Sequence, residues 1–282
     1  MFRSPTPRAC DDRALVLLAV GIASVMRVEG GLYSLLVAPA DATRAATELE
    51  QYTRENRPPL PPAPQRLHAG AAIGAGVYAL IVFACGVASS RSFLGRDWFG
   101  SGVLTGGRFR AGELWRAATA LTLHVDLAHL AANVGFGALF GGLAARVYGA
   151  GWAWLLILLA AVAANAFNGW TMPAEQVSLG ASTAVFAALG ALAVHRWAAA
   201  SRRARAGRSG ASMVAALVLL ALLGTGDART DTTAHALGFG FGALLALPLR
   251  RWPAPWGARP QWLAGAAAIA LLAGAWASAF WS

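Results

Sequence analysis

Hydrophobic and polar positions fall into two regimes that meet near residue 65. Beyond that point long apolar runs recur, each near the ~20 residues a helix needs to cross the hydrocarbon core of a bilayer. Seven spans are predicted, at 69–88, 124–144, 151–169, 179–198, 211–226, 231–249 and 261–281. The connection between the first two is about 35 residues long and carries Trp98, Phe99, Phe109 and Trp115. Aromatic rings of this kind favour the membrane–water boundary, so this loop is expected to lie there.

Ahead of residue 65 the pattern changes. Ala14 to Met26 is apolar but only about 13 residues long, too short to span. With Arg3, Arg8 and Arg13 it also fits a signal peptide. The residues after Met26 are patterned as a folded unit, which is the preferred reading. Leu32 to Val37 reads as a strand, and Pro39 to Asn56 as a helix with Ala45, Leu49 and Tyr52 on one face. The expectation is a helix–strand–strand–helix domain, small, α+β and cytosolic, over 1–57. A stiff Pro-rich linker comes next, at 58–66. A six-helix core is then expected over 67–250 and an additional seventh transmembrane helix over 251–282.

Composition agrees with an all-α polytopic membrane protein behind that domain. Hydrophobic residues make up 57% of the chain and charged residues 13%, against about a quarter in soluble domains. The net charge is +10, and every basic residue is an arginine. No basic face with stacking aromatics can be traced, so nucleic acid is not an expected partner. The arginines instead report orientation. Arg146 follows the second span, Arg196, Arg202, Arg203, Arg205 and Arg208 the fourth, and Arg250, Arg251 and Arg259 the sixth. All fall on one side, which should be cytoplasmic and hold the N-terminus; Glu175, Asp227 and Asp231 fall on the other. The first loop departs from this with Arg91, Arg96, Arg108, Arg110 and Arg116, which a loop lying in the interface tolerates. Two cysteines, Cys10 and Cys85, supply neither a disulfide framework nor metal-ligand spacing.

Polar groups inside spans are costly and therefore mark function by default. His124, His129 and Asn133 open the second span, with His129 and Asn133 on one helix face. Interhelical hydrogen bonding is one reading of that pair; a metal site would want a third ligand. Ser182 opens the fourth span among Gly180, Ala181, Ala184 and Ala187, small residues that admit another helix, so packing alone is its plain reading. Gly180 is also expected to leave room around the hydroxyl. In the sixth span His235, Gly238 and Gly242 share one stripe, and Asp231 is expected to cap the helix. These three spans run in one direction, and His129, Asn133, Ser182 and His235 all lie within about two turns of the same end. A serine beside a histidine is activated when the imidazole accepts its proton. His129, Asn133 and the Ser182 backbone N–H are candidate donors to the resulting oxyanion.

The set Trp115-Arg116, His129-x-x-x-Asn133, Gly180-x-Ser182 and His235-x-x-Gly238-x-x-x-Gly242 resembles the rhomboid proteases over roughly residues 69–250. The resemblance implies a rhomboid-like helical bundle in a six-plus-one arrangement. It implies cleavage of transmembrane protein substrates at or near the membrane surface by a Ser–His dyad without cofactor or metal. Carried over by position, Ser182 is the nucleophile and His235 the base. His129, Asn133 and Ser182 form the oxyanion hole, and His124 matches a further histidine beside it. Phe186 falls where an aromatic ring often lies under the catalytic histidine; Trp115 and Arg116 match a structural loop. The N-terminal segment is similar to small cytosolic domains ahead of some bacterial members, which implies a bacterial inner membrane and a site opening to the periplasmic or extracellular side. Thr183 stands where many active members carry glycine, and its bulk would crowd the substrate carbonyl. The alternative is a catalytically inactive protein of the same fold that binds membrane helices. A transporter would want broken helices arranged as repeats, which the spans do not display. His68 and His195 fall outside the constellation, and Asn168 and Glu175 have no assigned role.

Overall fold

The computed structural model describes residues 2–56, 68, 70–199, 231–249 and 257–281. The linker at 58–66, the fifth predicted span at 211–226, Asp227 and the arginines at 202, 203, 205, 208, 250 and 251 lie outside the described residues. The chain divides into two compact units, Met1–Pro61 and Pro62–Ser282.

In the first unit the apolar run Ala14–Met26 is not one element. Helix α1 occupies Pro7–Ala19, started by Pro7 in its first turn, and the chain then turns through Gly21 at φ 75°. Strand β2 (Ser24–Glu29) takes the rest and pairs antiparallel with β3 (Leu32–Val37), Ser24 facing Val37 and Glu29 facing Leu32. Gly30 and Gly31, both at positive φ, make the two-residue turn between them. A short leading strand, β1 (Phe2–Ser4), extends the expected pattern and pairs with the other edge of β3, for an order β1-β3-β2. Helix α2 (Ala42–Glu55) completes the unit, and Leu17, Ile22, Leu35 and Ala45 form its core.

The second unit is a helical bundle. Its long helices are α3 (Ala71–Ser90), α7 (Leu127–Tyr148), α8 (Ala150–Thr171), α9 (Ser182–Ala199), α10 (Thr232–Leu249) and α11 (Ala258–Trp281). All but α9 are long and apolar enough to cross a membrane by themselves. Helix α9 is instead the centre of the bundle, with every residue from Thr183 to Ala191 buried. Close approach by small residues sets the directions. Gly74 of α3 lies against Ala150 and Trp154, so α3 and α8 start at the same end, whereas Gly86 meets Leu130, so α3 and α7 are antiparallel. Gly151 sits under the Gln261 carbonyl, so α11 starts beside α8. Gly238 lies on the Thr183 carbonyl and Gly242 on the Ala187 carbonyl, so α9 and α10 are parallel in near contact.

The long first loop is a folded layer of short pieces: α4 (Trp98–Gly102), β4 (Leu104–Thr105), α5 (Gly106–Arg110) and α6 (Arg116–Thr119). Of the four aromatic rings that mark this loop, Phe109 points inward. That ring is buried against Leu104, Ala117, Ala120 and Met172, because the layer needs a core of its own. Strand β4 pairs with β5 (Val177–Ser178), which leads directly into the segment before Ser182.

Candidate active site

The start of α7 brings His124 and His129 together. The expected start of the second span at residue 124 moves to Leu127, because Asp126 caps the helix: its carboxylate accepts from the His129 N–H at 2.7 Å. His124 is left in the approach to α7, with its ring 5.0 Å from that of His129. Burial, and next the neighbouring His129, push His124 down to about 4. Its Nε2 faces the Ala181 N–H at 3.5 Å, on the segment that leads to the serine.

That segment is held from the loop layer. Strand β5 pairs with β4, the Gly180 N–H donates to the Ala120 carbonyl at 2.9 Å, and Leu179 packs with Val103, Leu123 and Trp276. Gly180 has φ 113°, which an L side chain rarely adopts, and a Cβ there would lie 2.8 Å from the His129 ring. The room that Gly180 creates is therefore for His129 and Asn133, not for the Ser182 hydroxyl as the spacing suggested. Asn133 is buried, its carbonyl accepts from the Tyr78 hydroxyl at 2.8 Å, and its side-chain Nδ2 has no hydrogen-bond partner among the described residues.

Ser182 opens α9 and His235 lies in the first turn of α10. Their Oγ and Nε2 are 2.8 Å apart. The close α9–α10 packing through Gly238 and Gly242 sets this distance, since neither glycine could carry a Cβ without displacing backbone. Phe186, one turn along α9, lies under the imidazole with ring centroids 4.5 Å apart and planes tilted by 30°. His235 Nδ1 has no partner among the described residues, so no acid orients the ring by a direct bond there. Thr183 is buried, with its methyl group toward Gly238, so its bulk faces α10 and not the front of the serine.

Asp231 caps α10 as expected, its Oδ1 accepting from the Ala234 N–H at 3.0 Å. Its Oδ2 accepts from Asn168 of α8 at 2.6 Å. Sequence reasoning left Asn168 without a role, although a buried amide in an apolar span was signal enough to seek a partner. Asp126 was likewise legible as an acid three residues before a helical histidine. Trp115 and Arg116 stand apart from the pair, in the loop layer. Arg116 is fully buried, bonded to Glu113 at 2.7 Å and to the Val103 carbonyl at 2.6 Å, and Trp115 donates to the Ser101 carbonyl at 3.2 Å. They position the layer from which His124 emerges. His68, which precedes α3 and whose N–H donates to the Arg146 carbonyl near the end of α7, and His195, near the end of α9, lie at the opposite end of the bundle from the serine.

Residues 111–252, just over half of the chain, match the family model of the Rhomboid domain. No match is found among curated proteins.

Proposed function

Because this multi-pass membrane chain belongs to the rhomboid family, whose members are generally intramembrane proteases, we propose that it is a serine endopeptidase that cleaves transmembrane proteins. The observation that carries the reading is the 2.8 Å contact between Ser182 Oγ and His235 Nε2 at the start of two parallel, tightly packed helices. In this reading His235 Nε2 takes the hydroxyl proton as Ser182 Oγ attacks the scissile carbonyl carbon. The carbonyl oxygen becomes the oxyanion and meets the unpaired Nδ2 of Asn133, His129 and the Ser182 backbone N–H, at the positive end of the α9 dipole. His235 then delivers its proton to the leaving amine. Water deprotonated by the same nitrogen releases the acyl group and restores the serine.

Phe186 holds the imidazole plane by packing, the task that an acid performs in a triad. His124 supports the oxyanion side through the Ala181 N–H. The proposed setting is a bacterial inner membrane with the N-terminus in the cytoplasm and the site opening to the opposite face. The domain assignment goes with it: a cytosolic domain at 1–57, a linker at 58–66, the six-helix core at 67–250 and a seventh helix at 251–282. The second reading, a catalytically silent helix binder, drew support from Thr183; the burial of that side chain against Gly238 weakens it.

The test is cleavage of a model transmembrane substrate by purified protein, with fluorophosphonate labelling in parallel. Wild type should cut and label; Ser182→Ala should do neither, and His235→Ala should lose at least a hundredfold in both. A folded wild type that neither cuts nor labels makes the helix binder the better account.

A further inference from the structure

Helices α3, α8 and α11 start at one face of the second unit, and between α3 and α11 a crevice of about 510 Å³ opens over α8. Ile73 and Val77 of α3, Leu158 of α8 and Ile269 of α11 make its walls. Its floor is Ala181 and Ala184, the back of the segment that carries Ser182. The rim is apolar and open: Ile73 is 66% and Ile269 50% exposed.

A packed interior does not leave a void of this size empty. Water is a poor occupant, because a buried water needs two to four polar partners and the lining offers few: among the described residues Trp154 Nε1 lacks a partner, whereas Tyr78, Thr122 and Gln261 are engaged. Tyr78 donates to the Asn133 carbonyl. Thr122 donates to the Thr119 carbonyl and accepts from Trp276. Gln261 donates to the Tyr148 carbonyl and accepts from the Trp152 N–H. The crevice is thus an apolar slot of ligand size that opens sideways from membrane-crossing helices. The geometry points to a resident phospholipid acyl chain in this crevice, held between the first and last described spans. The inference does not depend on the protease reading.

The test uses full-length protein in nanodiscs containing phosphatidylglycerol with a diazirine on its acyl chain, with cross-links mapped by mass spectrometry after irradiation. Val77 and Ile269 should be labelled at least fivefold above Leu80 and Leu263, which are exposed on the same helices outside the crevice. Ala268→Trp, which fills the crevice from α11, should bring the two sets level. If that variant does not fold, Ala266→Phe serves the same purpose. Equal labelling of both sets in wild type overturns the proposal, since the lipid is then only annular. Label at Leu80 and Leu263 with none at Val77 and Ile269 overturns it too, because the chain itself then fills the slot.

Discussion

The contact between Asn168 and Asp231 offers the sharpest quantitative test of how the site is held. Asp231→Ala removes two bonds at the start of the helix that carries His235. The cap to the Ala234 N–H is worth about 1 kcal/mol. The bond from Asn168, at 2.6 Å to a charged acceptor, is worth ~1.5 kcal/mol when taken at the lower end because Asp231 is only half-buried. The sum, about 2.5 kcal/mol, corresponds to a fall in Tm on the order of 5–10 °C for a unit of this size. Asp231→Asn should recover most of the cap term, since asparagine caps nearly as well. The assay is thermal unfolding in detergent for the two single variants Asn168→Ala and Asp231→Ala and for the double variant. A coupling of about 1.5 kcal/mol is expected, and fluorophosphonate labelling should slow in step as the first turn of α10 loosens. A coupling under ~0.3 kcal/mol, the range of independent sites, would refute the idea that α8 clamps the helix through this bond.

Three further outcomes rest on the same geometry. Gly180→Ala should cost about 1–2 kcal/mol for the left-handed backbone and should cut labelling of Ser182 at least tenfold, because its Cβ meets the His129 ring at 2.8 Å; wild-type labelling by a folded variant would contradict this. Arg116→Ala should destabilise by ~3 kcal/mol or more, since Glu113 and the Val103 carbonyl lose a buried partner, and Arg116→Lys should rescue little because one ammonium cannot reproduce the fork; equal melting of the lysine variant and wild type would count against it. Burial depresses His124 from 6.5 to about 4, so the unfolded chain binds a proton in that window that the folded chain does not. Stability should therefore fall as pH drops from 6.5 towards 4, and His124→Gln should flatten that part of the profile in a melting series; an unchanged slope would show that His124 is not its source.

Much of the site was legible along the chain because intramembrane polarity is expensive. A serine, two histidines and an asparagine at the same end of parallel spans stand out against an alanine- and leucine-rich background, and Gly238 and Gly242 mark the stripe where two helices meet. The second and third spans, the sixth and the seventh emerged within a few residues of their expected bounds, since length and hydropathy alone decide them. Where the reading slipped, short-range competition was the cause. Asp126 began α7 three residues after His124, and Gly21 cut one apolar run into a helix end and a strand start.

The class of molecule, its family resemblance and the residue types of the candidate site can all be read along the chain, because each follows from local periodicity and the cost of burying polar groups. Which room Gly180 leaves, which way Thr183 faces, that Phe109 is core and that Asn168 reaches across 63 residues to Asp231 emerge from three-dimensional packing alone. Those are facts of direction and distance between segments far apart in the chain, and no pattern along one helix encodes which neighbour will be packed against it.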